Sequence, residues 1–150
     1  MNIENTLHKI SHLKWVFLAI EVFLIIYAFK IISHPESLIN TISIIIFISG
    51  IHLGLESLSD VSKMSKKQIK KFQKRKNITT QTKTLLIAIL VLAIISLLFF
   101  SLKFIGSERN ENLFNEFFYL GLNIWALILG LLCLLKSIYD KNAFANSQIK

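Results

Sequence analysis

Four long apolar segments constrain the fold of this chain more than any other feature. They cover residues 15–32, 38–55, 84–102 and 117–135, and each is 18 or 19 residues long. A helix of that length extends about 27 Å, which roughly matches the hydrocarbon thickness of a bilayer. Because lipid offers the backbone no hydrogen-bond partners, even segments rich in isoleucine, valine and phenylalanine form helices there. We therefore predict an all-α integral membrane four-helix bundle, with residues 1–150 forming a single domain.

Composition supports membrane insertion. The chain is 53% hydrophobic with a mean hydropathy of +0.58, so it has too few polar residues to cover a soluble domain of its size. The first segment contains Glu21, and inserting a carboxylate at the middle of a span costs about 3 kcal/mol. The favourable insertion free energy of the many Leu, Ile, Val and Phe residues in the same segment outweighs that cost. No small-x-small cleavage site follows that segment, which favours a retained span over a signal peptide. The high Ile, Lys and Asn content favours a bacterial inner membrane.

The distribution of basic residues predicts the orientation. Only Lys30, Lys103 and Arg109 fall in the segments expected on one side of the membrane. The other fourteen Lys and Arg residues fall on the opposite side, at Lys9, Lys14, Lys63, Lys66, Lys67, Lys70, Lys71, Lys74, Arg75, Lys76, Lys83, Lys136, Lys141 and Lys150. Loops that are rich in Lys and Arg stay in the cytoplasm. Both termini and the basic loop at 57–83 are therefore predicted to be cytoplasmic.

Two short helices are predicted outside the spans. Ile3, Leu7 and Ile10 recur at helical spacing and predict an amphipathic N-terminal helix on the inner membrane surface. In the basic loop, Ser65 and Gln68 have the spacing of a capping box, which predicts a helix from about Lys66 to Lys76. Met64, Ile69 and Phe72 would form its weak apolar face.

Two interpretations of this loop helix remain open. Its basic residues are an orientation signal that also contacts anionic phospholipid headgroups, or they form a docking arm for a cytoplasmic partner. The residues concerned are Lys66, Lys67, Lys70, Lys71, Lys74, Arg75 and Lys76. Nucleic-acid binding is not expected, since Phe72 is the only aromatic residue here and no recognition fold accompanies it.

Three ionisable residues lie within or near the first two spans and form the candidate site. Glu21 lies about 9 Å from the cytoplasmic boundary of the first span. His52 and Glu56 share a face of the second span, and His52 lies at a depth similar to that of Glu21. We predict an intramembrane cluster in which Glu21 pairs with His52 while Glu56 orients the imidazole. Three roles are open: holding the helices together, carrying a proton or cation, or ligating a metal with an incomplete ligand set.

Small and polar residues predict the helix-packing faces. Gly50 and Gly54 form a GxxxG motif in the second span, which allows close approach within the bundle or between protomers. The fourth span carries a stripe of small and polar residues, with a polar pathway lining as the alternative to packing. Its members are Glu116, Tyr119, Asn123, Ala126, Gly130 and Cys133. The third span has few such residues and is expected to be the most lipid-exposed.

One short segment resembles a known family. Ala19-Ile20-Glu21-Val22 is similar to the Ala-x-Glu-Val of small multidrug resistance exporters, which also have four spans and a glutamate in the first. The resemblance covers only these few residues. The long basic loop, and the absence of that family's glycine pattern from the third span, argue against membership.

Several classes of function lack the residues they require. The sequence contains no Gly-rich phosphate loop, nucleophile elbow or HExxH motif, and its single cysteine excludes a CxxC pair. We expect neither an enzyme nor a cofactor or metal. The leading hypothesis is a non-enzymatic membrane protein that acts through partners, as an accessory subunit, an immunity or defence protein, or a homo-oligomer. The alternative is a proton- or cation-coupled transporter or channel that uses Glu21 and His52.

Overall fold

The computed structural model of the chain describes residues 9–58, 64–74, 78–105 and 111–147. These residues contain the helices α1 (Lys14–Lys30), α2 (Pro35–Ser57), α3 (Lys66–Lys74), α4 (Ile78–Ile105) and α5 (Glu111–Ser147). The described ranges contain no strand, so the all-α prediction is confirmed. Four of these helices, α1, α2, α4 and α5, are long and apolar enough to cross a membrane.

The short connection between α1 and α2 is set by a proline. Pro35 is the first residue of α2, where its fixed φ suits a helix and its missing N–H leaves no donor unsatisfied. The preceding His34 has an extended backbone, as a residue before proline prefers. Because only a few residues separate the two helices, they pack side by side and run in opposite directions.

The two later long helices extend beyond the predicted apolar segments. α4 begins at Ile78, before the apolar segment at 84–102, and α5 continues to Ser147, well past residue 135. Backbone hydrogen bonds within a helix do not require apolar side chains, so polar residues continue both helices. The loop helix α3 ends at Lys74, near its predicted end. Of the predicted N-terminal helix, Ile3 and Leu7 lie outside the described residues.

The long helices pack in the order α1, α2, α5, α4. α2 and α5 form the central pair, α1 packs on α2, and α4 and α3 pack on α5. Within the described ranges α1 and α4 do not pack extensively on each other, so the arrangement is an open row rather than a closed bundle. We define the basic end as the end of this row where α1 and α4 begin and α2 and α5 end.

The most buried apolar residues lie on α5. Leu120, Ile124 and Ile128 are almost fully buried between α2 and α4. In contrast, no described residue of α1 is buried, because α1 has only one extensive neighbour. The expectation that the third span is the most exposed is therefore wrong for the isolated chain, since α4 buries Ser96 whereas α1 buries nothing.

Candidate functional site

The structure brings Glu21 and His52 together. The two residues lie on α1 and α2, and the His52 Nδ1 atom is 3.4 Å from Oε2 of Glu21, at the long end of hydrogen-bonding distance. The side chains are largely buried, with 12% of Glu21 and 22% of His52 exposed. The second oxygen of Glu21, Oε1, lies 3.4 Å from the same imidazole nitrogen, but it is buried and makes no hydrogen bond in the described part of the chain. This pair joins two helices through polar groups within their apolar segments.

Glu56 does not have the predicted role of orienting His52. Its carboxylate accepts a hydrogen bond from the Lys14 Nζ group at the start of α1 and forms an ion pair with it. Lys141 of α5 also interacts electrostatically with Glu56 and Lys14. A partner of opposite charge is within reach of Glu56, which explains why the carboxylate turns towards Lys14 rather than towards the imidazole one turn away.

Together these five residues form what we call the polar ladder: Glu21, His52, Glu56, Lys14 and Lys141. It runs from the apolar part of α1 towards the basic end and links α1, α2 and α5. Sequence reasoning missed Lys14 and Lys141, because it treated both only as orientation signals. The spacing of Lys14 and Glu21, seven residues or two helical turns, was a usable signal that they share a face.

Metal binding gains no support from this geometry. Among the residues that the structure describes, no group of three His, Cys, Asp or Glu side chains is placed to hold an ion. Glu56 is already paired with Lys14, which leaves only Glu21 and His52 adjacent to each other.

The central helices approach most closely at two glycines. A Cβ atom added to Gly50 would lie 2.7 Å from the Leu127 backbone nitrogen, and one added to Gly130 would lie 3.0 Å from the Gly50 Cα atom. The first distance is shorter than real Cβ contacts, and a Cβ atom on Gly130 would lie closer still to the Gly50 carbonyl oxygen, so α2 and α5 touch backbone to backbone at this level. Ala126, from the predicted stripe, supplies backbone atoms to the same contact.

Gly54, the other member of the GxxxG motif, takes no part in that contact. A Cβ atom added there meets nothing within 4 Å, so Gly54 faces open space and not the backbone of α5. Of the remaining stripe residues, Asn123 contacts α2: its amide donates a 2.6 Å hydrogen bond to the Ser43 hydroxyl. Tyr119 and Cys133 are exposed, so the stripe contributes to the packing face only in its middle part.

A third polar contact joins α4 to α5. The buried Ser96 hydroxyl donates a 2.9 Å hydrogen bond to the backbone carbonyl of Gly121. The rings of Phe99 and Phe117 stack nearby, with centroids 5.6 Å apart. Polar groups within the apolar segments are therefore paired with groups on the neighbouring helix at three places.

The helix α3 forms as its capping residues predict. The backbone N–H of Gln68 donates a hydrogen bond to the Ser65 hydroxyl, and the backbone N–H of Ser65 donates one to the side-chain oxygen of Gln68, so the capping box is confirmed. Lys66, Lys67 and Lys70 are exposed, whereas Ile69 is half-buried. α3 packs on α5, and these three lysines stay exposed beside that contact. Arg75 and Lys76 lie outside the described residues, as do the side chains of Lys71 and Lys74.

A cavity of about 350 Å³, largely open to its surroundings, lies at the basic end, away from Glu21 and His52. It is lined by Thr80, Gln81, Thr84 and Leu85 of α4 and by Ile138 of α5. The cavity therefore belongs to the α4–α5 side of the row, while the buried Glu21–His52 pair belongs to the α1–α2 side.

Comparison with protein-family models, curated proteins and solved structures finds no match to this chain.

Proposed function

We propose that this chain is a multi-pass protein of the bacterial inner membrane that acts through protein partners and not as an enzyme. Both termini and the basic loop lie in the cytoplasm in this proposal. The excess of Lys and Arg at the basic end supports that orientation. Accessory subunits and immunity or defence proteins are the classes of protein that fit a chain of this size. A homo-oligomer, in which the partner is another copy of the chain, belongs to the same proposal.

The observation that carries this proposal is the pairing of polar groups between helices. Glu21 contacts His52, Asn123 donates to Ser43, and Ser96 donates to a backbone carbonyl of α5. Polar side chains that pair across helices within lipid stabilise helix association. The backbone contact at Gly50 also closes the space between the central helices. Groups used in this way support a scaffold more than a pathway for solutes.

The outer surfaces of the row provide the area for partners. Phe23 on α1 and Leu98 on α4 are exposed, as are most apolar residues of α1 and several of α4. α1 has α2 as its only extensive neighbour in the described ranges, so most of its circumference is available to lipid or to another membrane protein.

One observation favours the alternative of a proton- or cation-coupled transporter. The Oε1 atom of Glu21 is buried and makes no hydrogen bond among the described residues, although it lies 3.4 Å from the His52 Nδ1 atom, and ionisable groups within a membrane are candidates for proton or cation transfer. Glu56 follows His52 by one turn of α2 towards the basic end, where it pairs with Lys14.

Proton flux into proteoliposomes distinguishes the two functions. A pH-sensitive dye is sealed inside vesicles that carry the wild-type chain, Glu21→Gln or Glu36→Gln, and a membrane potential is imposed. Glu36 is an exposed carboxylate near the start of α2 and serves as the matched control. We expect the proton flux into all three kinds of vesicle to equal that into vesicles without protein. Wild-type flux that Glu21→Gln abolishes and Glu36→Gln retains would establish the transporter instead.

Site-specific photo-crosslinking in cells tests the partner directly. A photoreactive amino acid is introduced at Phe23 or Leu98, and at the buried Ile124 as a control. We expect a discrete protein adduct at one of the exposed positions and none at Ile124. Adducts with lipid alone at both exposed positions would count against action through a protein partner.

A further inference from the structure

The cavity at the basic end lies where the apolar segments of two helices stop. On α4 its lining residues run from Thr80 to Leu85, and the apolar segment begins at Thr84. On α5 it is lined by Ile138, just past the apolar segment that ends at residue 135. If both helices cross a bilayer, this is the level where acyl chains give way to headgroups.

The lining changes from polar to apolar along α4. Thr80 and Gln81 lie at one end of the cavity and Leu85 at the other, about 7.5 Å further along the helix. Thr84 lies between them, and its hydroxyl donates a 3.0 Å hydrogen bond to the Thr80 carbonyl. A phospholipid has the same order of chemistry, with a polar headgroup and glycerol followed by an apolar chain.

The charge around the cavity is predominantly positive. Lys83 is exposed and follows the lining residue Thr80 by three positions, so the two share a side of α4. Lys66, Lys67 and Lys70 of α3, which packs on α5, are exposed as well. The chain contains no Asp or Glu between residues 61 and 107. On α5 the exposed Asp140 is the nearby opposite charge, two residues from Ile138. Lysines outnumber carboxylates here, which favours a ligand with net negative charge.

We propose that this cavity binds one anionic phospholipid of the cytoplasmic leaflet. Its phosphate lies at the Thr80 and Lys83 end, and its acyl chain runs along Leu85 and Ile138. This site depends on the membrane insertion in the proposed function but not on the action through protein partners. It differs from a general attraction of basic residues to the membrane surface, because it requires a defined cavity between α4 and α5.

Native mass spectrometry of the full chain, released from vesicles that contain phosphatidylglycerol and phosphatidylcholine, tests this site. We expect one phosphatidylglycerol retained on each chain and little phosphatidylcholine. Thr84→Phe fills the cavity and should abolish retention, whereas Ser101→Phe, at an exposed hydroxyl near the far end of α4, should not. Lys83→Gln should weaken retention about fivefold, and Lys30→Gln, an exposed lysine at the opposite end, should leave it unchanged.

Several results would overturn the assignment. The first two are equal retention of phosphatidylglycerol and phosphatidylcholine, and retention of phosphatidylglycerol by Thr84→Phe at the wild-type level. The other two are displacement of the bound phosphatidylglycerol by millimolar inorganic phosphate alone, or by a polyglutamate peptide. The last two would point to a free anion or to an acidic protein. The thermal stability of Thr84→Phe in phosphatidylcholine, matched to wild type, shows that the variant is folded. Extraction of the wild-type chain from vesicles by alkaline carbonate would overturn the lipid site and the membrane function together.

Discussion

Replacing Gly50 with alanine would insert a methyl group into the contact between α2 and α5. The new Cβ atom would lie 2.7 Å from the Leu127 backbone nitrogen, whereas comfortable carbon contacts are about 3.5 to 4.0 Å. The opposing atoms belong to a helix backbone and cannot rotate away, so the helices must separate by roughly 1 Å. Overpacking of this kind costs about 1 to 3 kcal/mol of unfolding free energy.

Gly54→Ala is the matched control, because it makes the same chemical change one turn along the same helix. Its Cβ atom meets nothing within 4 Å, so no steric cost arises. Alanine is also favoured over glycine within a helix by about 0.5 to 1 kcal/mol. Because that preference applies at both positions, it cancels in the comparison, and the two variants should differ by the steric cost of about 1 to 3 kcal/mol, with Gly50→Ala the less stable.

Unfolding by sodium dodecyl sulfate in mixed micelles, followed by far-UV circular dichroism, measures both free energies. Gly130→Ala should resemble Gly50→Ala, since its Cβ atom would lie 3.0 Å from the Gly50 Cα atom. The double variant should cost less than the sum of the two, because one separation of the helices relieves both clashes. Equal stability of Gly50→Ala and Gly54→Ala would refute the backbone contact.

Three further outcomes follow from the contacts. Asn123→Ala removes the amide that donates a hydrogen bond to α2 and should lower the unfolding free energy by about 0.6 to 2 kcal/mol in the same titration. Asn40→Ala, at an exposed asparagine, should change it little, and equal effects of the two would contradict a role for the hydrogen bond. Lys14→Gln breaks a partly exposed ion pair and should cost at most about 1 kcal/mol, with the loss shrinking at high salt; a larger, salt-independent loss would show that the pair is effectively buried. With the single native cysteine, Cys133, replaced, a membrane-impermeant maleimide should label Glu36→Cys in intact cells and Lys67→Cys only after permeabilisation. The reverse labelling pattern would overturn the proposed orientation.

Hydropathy located the four long helices but not their full extent or their order. Lipid sets a minimum length for an apolar helix, and nothing in that constraint ends α5 near residue 135, so the helix continues to Ser147. The order α1, α2, α5, α4 was not predictable either. Helices surrounded by lipid are apolar on all sides, so their sequence pattern does not mark which face meets which neighbour.

The site was predictable where chain connectivity constrained it. Glu21 and His52 lie at matching depths on two helices joined by a short turn, so their proximity followed from the sequence. The pairing of Glu56 with Lys14 did not, because spacing along α2 suggests its neighbours on that helix alone. Similarly, the GxxxG motif contains two equivalent glycines in sequence, and only the packed structure shows that Gly50 meets the backbone of α5 whereas Gly54 faces open space.

The close contact of Gly50 with Gly130 has a consequence for biogenesis. If the four long helices span a bilayer as proposed, Gly130 leaves the ribosome only after the loop, α3 and α4 have been made, so the first hairpin waits in the membrane without its main partner. During that interval the Ser43 hydroxyl lacks the amide of Asn123. Chains that terminate before α5 should therefore be targets for membrane proteases, even though each of their helices inserts normally.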